Sequence, residues 1–557
     1  MAPQTEAEAS RADGARNPLA TALVAVVALA VVGVTYWRLY YGVDVSDESF
    51  YVAVPYRLVR GARLFVDETS VAQQLVGILL YPFVHAYVSL VGVGGIVLFV
   101  RHLQFVFSLA VAASIAVGLR AVLPTRQAVL VALTAVAFVP FQIHSLSYNT
   151  VGGGLFTAGC LLGFASLREP GRWSLRLLAG LCHGVAVFAY PPLIVGVAAC
   201  YLVRLGIGRR KATLALDLPA LALPLAGLAA VVAVAGFGRV RADYRHSRTT
   251  SVQHFDSHKL VSVAAHEWHT LRFWYLVVPA LALVALLWRR LPVAARIVVL
   301  VLPLLVLPTK LRSVTSSLEY VAHYGWLALF LLPLARRRPG AVELFAVCWL
   351  PALVAGAVTG YTSSNGGVNA GIGFFPAALV SSVFLIWTLG GRFATAPVLI
   401  TLALLTWFEL PVYRDGPVST LHARVNHGAF AGLLTTAAKR DFLVRLEGTV
   451  GGFGSSCRIV FFDDFPAGYL LTRAQADTTT VWLHGRTPPS LIAYYRRHGF
   501  PDVVVELAHI PYSVTGGRNE HYRRSNPLLA MLRTRSYRLV ASRRDYLVYR
   551  RSSGCSA

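Results

Sequence analysis

The sequence predicts an all-α polytopic membrane protein of about thirteen spans that closes with a small extracytoplasmic α/β domain. Three observations lead there. Of its 557 residues, 56% are hydrophobic and only 14% charged, with a mean hydropathy of +0.59; a soluble chain carries about a quarter charged residues. Arginine clusters separate the apolar runs at regular intervals. From about Arg414 onward the long apolar runs give way to shorter strand-like and helical ones.

The net charge is +25, from 51 Lys+Arg against 26 Asp+Glu. On a membrane chain such an excess reads as topology and contact with anionic headgroups. No basic recognition element stands out, so nucleic acid is not an expected partner.

Residues 1–16 are a polar cytoplasmic tail with Arg11 and Arg16. The first span, about Leu19 to Trp37, has no small-residue cleavage site after it and reads as uncleaved. The transmembrane domain covers 17–412. Its clusters are Arg120/Arg126, Arg168/Arg172/Arg176, Arg204/Arg209/Arg210/Lys211, Arg289/Arg290/Arg296, Arg336/Arg337/Arg338 and Arg392. One alternation puts all of them in the cytoplasm. It needs an outer loop over 39–102, a second span near 103–119, outer turns at His144–Asn149 and Tyr190-Pro191-Pro192, and a seventh span near 215–236. Three cytoplasmic hairpins of two spans each follow. Residues 75–91 are apolar but must not cross; their Tyr81, Phe83, His85 and Tyr87 suit a helix lying in the interface.

The tail, 413–557, has strand-like runs at Arg458–Phe462 and Asp502–Leu507, a helical pattern at Leu491–His498 between them, and a strand-rich stretch Tyr537–Tyr549. Four of the six cysteines (Cys160, Cys182, Cys200, Cys348) lie in apolar segments as small core residues. Cys457 and Cys555 fall in the tail and are able to pair if it lies outside.

The chemistry concentrates at Asp47-Glu48, where the first span meets its aqueous face. A carboxylate at a low-dielectric edge has a reason to carry a raised pKa and to accept a proton from an alcohol. Asp47 is the candidate base, with Glu48 its electrostatic partner or a solvated neighbour. The competing reading is an ordinary amino-terminal cap of a helix starting near Ser46. Lys310 and Arg312, on the outer loop after the ninth span, are candidates for a leaving phosphate, with Arg101 a third; headgroup snorkelling is the alternative for each. Tyr148, Asn149, Asn365 and Asn369 either hydrogen-bond sugar hydroxyls or cap helices. His266-Glu267-Trp268-His269 lacks the i, i+4 histidine spacing of a zinc helix, and no Cys-x-x-Cys exists, so no metal is expected there.

Asp47-Glu48-Ser49-Phe50-Tyr51, followed by Gly61-Ala-Arg-Leu-Phe-Val-Asp67, resembles the first outer loop of the GT-C glycosyltransferases. That superfamily includes protein O-mannosyltransferases, the lipid A aminoarabinose transferase and arabinofuranosyltransferases. Arg101 takes the place of the arginine that often precedes the second span there, and Gly180-Leu-Cys-His-Gly184 through Pro192 resembles a short turn of the same family. The resemblance spans 17–410. It implies an enzyme of the cytoplasmic membrane with its active site outside, moving a hexosyl or pentosyl group from a polyprenyl-phosphate donor to a hydroxyl of a glycan, lipid or protein acceptor in envelope synthesis. Two departures matter. Ala72-Gln73-Gln74-Leu75 stands where Lys-Pro-Pro or His-Pro-Pro is frequent. His144, Tyr148 and Asn149 stand where many members carry a second acidic residue, which weakens the inference of a bound metal, so that a divalent metal cofactor stays open, as does the sugar. The rival from another class is a transporter or flippase of lipid-linked saccharides. Charged groups gathered on one face, rather than at the midplane, favour the enzyme.

Overall fold

The computed structural model describes residues 18–207, 216–242, 258–270, 292, 315–462, 464–483, 489–507, 532 and 537–555. Among these, seven helices are long and apolar enough to cross a membrane, or eight if Gly366–Gly373 and Phe375–Leu389, bent by 56° at their junction, form one span. Four shorter apolar helices accompany them. The chain is a multi-pass membrane protein. The count of thirteen is not established, because the spans expected over 271–314 lie almost wholly outside the described residues.

Helix α1 (Pro18–Arg38) leads into α2 (Asp47–Val59) and α3 (Val71–Leu90). The second span, α4 (Ile96–Leu119), begins about two turns before the expected 103, so Arg101 lies inside the helix rather than before it. Thr125–Ala137 returns to the site face in two pieces. There follow α5 (Tyr148–Arg168), α6 (Trp173–Ala189), α7 (Ile194–Ile207), α8 (Asp217–Ala235) and, later, α9 (Ser316–Ala335), α10 (Leu350–Thr362), α11 (Phe375–Leu389) and α12 (Ala396–Trp407). Sequence chemistry sets several of these starts. Ser147 and Thr150 form a reciprocal cap on α5, each side-chain oxygen accepting from the other's backbone N–H at 3.2 and 2.8 Å. Proline stands in the first turn of α10, α11 and α12, where its missing N–H costs nothing.

By length and composition α3 is able to cross, but its ends are tied to one side. Before it, Glu68 accepts a bond from Val481 N at 3.0 Å; after it, Gly95 N donates to Gly428 O at 3.0 Å. Both partners belong to the carboxyl-terminal part of the chain. Both ends of the helix are therefore held against the carboxyl-terminal part.

The carboxyl-terminal part carries a five-stranded sheet: β1 (Arg458–Phe462), β2 (Gln475–Ala476), β3 (Val503–Leu507), β4 (Tyr537–Ser542) and β5 (Tyr546–Arg551), in the order β2-β1-β3-β5-β4. The β1 pairings are parallel and those of β5 antiparallel. Helices α13 (Ala437–Val450) and α14 (Pro489–His498) accompany it. Cys457 and Cys555 are joined by a disulfide, with Cα atoms 5.4 Å apart.

One hydrophobic core fills the helical bundle. A second runs from Val43, Phe50 and Val54 of the first loop through Val97 of α4 to Phe442, Ile459 and Val503. The first loop and the sheet thus share a core. Polar ties reinforce this: Arg57 donates to Thr478 O at 2.8 Å, and Lys439 Nζ sits 3.0 Å from Asp415 while donating to Val43 O and Arg414 O. Gly42 makes the closest approach. Its φ is +87°, its N–H donates to Leu434 O at 2.7 Å, and a Cβ there would meet Val412 at 2.1 Å.

Candidate active site

Asp44 organises the start of α2. Its carboxylate accepts from Ser46 N at 3.0 Å, Ser46 Oγ at 2.7 Å and Glu48 N at 2.8 Å, while its carbonyl accepts from Ser49 Oγ. These are capping bonds, made from three residues before the helix. The capping role is therefore filled by Asp44, and Asp47 is released from it.

Asp47 points elsewhere. Tyr413 Oη donates to its Oδ2 at 2.6 Å, and Arg414 Nη2 lies 3.0 Å from the same oxygen. Arg414 also donates to Ser46 Oγ, and its guanidinium stands 4.7 Å from the Tyr413 ring centroid. Among the described residues Asp47 Oδ1 takes no hydrogen bond, and the side chain keeps a quarter of its surface exposed. It is nevertheless enclosed on most sides. Desolvation, the largest influence, pushes its carboxyl from 3.8 up to about 6; Arg414 and the Tyr413 hydrogen bond oppose the rise, while Asp44 and Asp464 add to it.

The upward shift fixes two signs. Ionising Asp47 disfavours the fold, so its stabilising contribution is full below pH 3.8 and lost above about 6. Activity that needs the ionised base runs the other way: kcat/KM should climb through an inflection near pH 6. A rate profile flat from pH 5 to 8 in purified protein of constant Tm would remove Asp47 as the titrating base.

Glu48 and Arg101 hold each other. Arg101 Nε and Nη2 donate to the two carboxylate oxygens at 2.7 and 2.6 Å, and both side chains are buried. Arg101 further donates to Leu39 O, Tyr41 O and Gly42 O at 2.5, 3.1 and 2.8 Å. All five of its N–H groups are then spent, and none is left for a phosphate. These bonds make Arg101 a clamp that closes the end of α1 onto α2. Glu48 likewise has both carboxylate oxygens engaged by Arg101. Beneath them a small cavity is lined by Arg38, Asp44, Glu48, Arg101, His144 and Tyr413. His144 stands 3.1 Å from Glu409, both buried. Burial pushes the Glu409 carboxyl up to about 8 and holds His144 well below its ordinary value.

Tyr148 is brought to the site. One turn after Asp47 on α2, Tyr51 lies on the same face; its ring is 6.0 Å from Tyr148, which is 4.9 Å from Tyr190. Tyr190 Oη and Thr362 Oγ1 are 2.8 Å apart. Asn149 is buried beside Tyr148 and lines, with Thr150, one side of a mainly apolar cavity between α4, α5 and α11, walled by Phe107, Phe138 and Phe375. Asn365 and Asn369 face each other at 3.5 Å on the 363–369 turn, and Asn369 is fully buried. Among the described residues no polar contact joins that turn to Asp47. Lys310 and Arg312 lie outside the described residues. Glu267 accepts a bond from Trp326 Nε1 at 3.0 Å, which gives it a packing role.

Sequence reading missed Tyr413, Arg414 and Asp44 as site residues. The available signal was positional: Tyr413-Arg414-Asp415 follows the last span as directly as Asp47-Glu48 follows the first.

No family model and no curated protein matches this chain. Solved structures do align with it. ArnT from Cupriavidus metallidurans bound to undecaprenyl phosphate aligns at TM-score 0.41 and 14% identity, over 95% of this chain and 97% of its own. The same protein in the apo state aligns at TM-score 0.42 and 14% identity, over 95% and 98%. The archaeal oligosaccharyltransferase AglB from Archaeoglobus fulgidus, in complex with an inhibitory peptide and a dolichol-phosphate, aligns at TM-score 0.47 and 11% identity, over 96% and 75%.

Proposed function

We propose that this chain is a GT-C-type glycosyltransferase of the cytoplasmic membrane, moving a sugar from a polyprenyl-phosphate donor to a hydroxyl acceptor at its extracytoplasmic face. The observation that carries the reading is the Asp47 carboxylate: one oxygen held by Tyr413 and Arg414, the other without a bond among the described residues, its affinity for a proton raised by enclosure. In the reaction, Asp47 Oδ1 takes the proton of the acceptor hydroxyl. The hydroxyl oxygen forms its bond to the anomeric carbon as the bond from that carbon to the phosphate oxygen breaks, and polyprenyl phosphate leaves as an anion.

Arg414 is the described cation nearest this event, and Lys310 and Arg312 remain candidates beside it for the leaving phosphate. Glu48 acts through Arg101 as a positioning residue. The tyrosines Tyr51, Tyr148 and Tyr190 offer ring faces to a sugar, and the apolar cavity below Asn149 suits an isoprenoid chain. The disulfide Cys457–Cys555 supports placing residues 413–557 in the oxidising, extracytoplasmic compartment.

The test is purified protein in liposomes with radiolabelled polyprenyl-phosphate sugars and an envelope extract as acceptor source. Label should leave the lipid and free polyprenyl phosphate should appear in equal amount. Label that changes leaflet while staying on its lipid would replace this reading with the flippase.

A further inference from the structure

A second cluster of reactive side chains lies inside the helical bundle, away from Asp47. Cys160 on α5, His183 on α6 and Cys200 on α7 are fully buried, and their ligating atoms all fall within 4.8 Å of one another. Cys160 is twelve residues along α5 from Tyr148, about 18 Å at 1.5 Å per residue. The cluster is therefore separate from the site described above.

Buried cysteines in a membrane bundle need no explanation, since they pack as small apolar residues. The histidine does. An imidazole in an apolar interior loses its water bonds and needs replacements. His183 finds none of ordinary strength among the described residues: its Nε2 stands 3.8 Å from Cys160 Sγ, and Nδ1 has no partner. Space has been kept for it all the same. A Cβ at Gly159 would sit 2.4 Å from the His183 ring, so α5 carries glycine where the imidazole crosses it.

We infer that Cys160, His183 and Cys200 supply three of the four ligands of a zinc site that staples α5, α6 and α7 together, the fourth corner falling to a water or another exogenous ligand. Tetrahedral zinc binds thiolate at about 2.3 Å and imidazole at about 2.0–2.1 Å, which sets neighbouring ligand atoms about 3.5–3.8 Å apart. The 3.8 Å from Cys160 to His183 already meets this, and the 4.8 Å limit on the set leaves only a small contraction. Charge selects the metal. Two thiolates and a neutral imidazole around Zn²⁺ sum to zero, whereas around Cu⁺ they leave one negative charge. The buried guanidinium of Arg204, one turn from Cys200, is engaged by Asp217 at 2.7 Å. A neutral centre is the form an apolar interior tolerates. Binding releases two thiol protons, so occupancy should fall in acid.

The full chain, purified in detergent after growth in zinc-containing medium, should carry about one zinc per chain by elemental analysis, as a single Cys₂His site requires. Cys160→Ser, Cys200→Ser and His183→Ala should each lose most of it, while Cys182→Ser, one residue from His183 but outside the cluster, should keep it. To separate metal loss from misfolding, the wild type is stripped with chelator and titrated with Co²⁺. Thiolate-to-cobalt charge-transfer absorption that saturates near one equivalent, and a Tm raised on zinc return, are the expected results. Copper in place of zinc, metal content indifferent to all three substitutions, or no thiolate–cobalt absorption in the wild type would each overturn the site.

Discussion

Asp47→Asn should reduce sugar transfer by about 10²–10⁴, the usual worth of a positioned general base, with the thermal stability of the protein little changed. The structure removes the main ambiguity of this substitution. On sequence alone Asp47 reads equally well as a helix cap, and asparagine caps nearly as well as aspartate. Here the cap belongs to Asp44, whose carboxylate takes the free N–H of Ser46 and Glu48. The start of α2 therefore does not depend on residue 47. An asparagine amide oxygen still accepts from Tyr413 and Arg414, so the local bonds survive in weaker form. What is lost is the capacity to hold a proton on Oδ1. The measurement is single-turnover transfer together with Tm in detergent. Near-full transfer by Asp47→Asn would sink the base assignment. Loss of both activity and stability would show that the carboxylate is needed to balance Arg414, and Arg414→Gln in the same background would then restore the Tm.

Much of the architecture is legible in the sequence because it follows from one-dimensional rules. Arginine spacing marks alternate helix ends, and apolar run lengths mark spans. The aromatic pattern of 75–91 suits a helix lying along one face although its length permits crossing, and both ends of α3 are tied to the carboxyl-terminal part. Strand and helix alternation in the tail is likewise a local property, and β1, β3, β4, β5 and α14 fall where those runs lie. The candidate site is legible only in part. Asp47 is visible because a carboxylate at the end of a span is costly and so informative. Its partners, Tyr413 and Arg414, are more than 360 positions away, and their approach depends on the first loop and the carboxyl-terminal part sharing one core. No periodicity encodes that closure. The same holds for Gly42, whose positive φ and lack of a Cβ let the loop meet Val412.

Arg101→Met should be the most destabilising single change in this region, because its role is tertiary. The guanidinium closes a buried bidentate pair with Glu48 and satisfies the carbonyls of Leu39, Tyr41 and Gly42 at the end of α1. Removing one partner of a buried ion pair typically costs about 3–5 kcal/mol, because the other charge stays behind without compensation. Each orphaned carbonyl adds to that. The expected readouts are a strongly lowered Tm in detergent, poor recovery, and rapid proteolysis of the 39–102 loop. A donor-phosphate role predicts the opposite pattern: normal Tm with a raised KM for the polyprenyl-phosphate sugar. The double variant Glu48→Gln/Arg101→Met decides between them. If the two side chains serve mainly each other, withdrawing the uncompensated charge should recover a substantial part of the lost Tm, a coupling that a double-mutant cycle measures directly. No recovery in the double variant, with a raised donor KM in Arg101→Met alone, would return Arg101 to the phosphate.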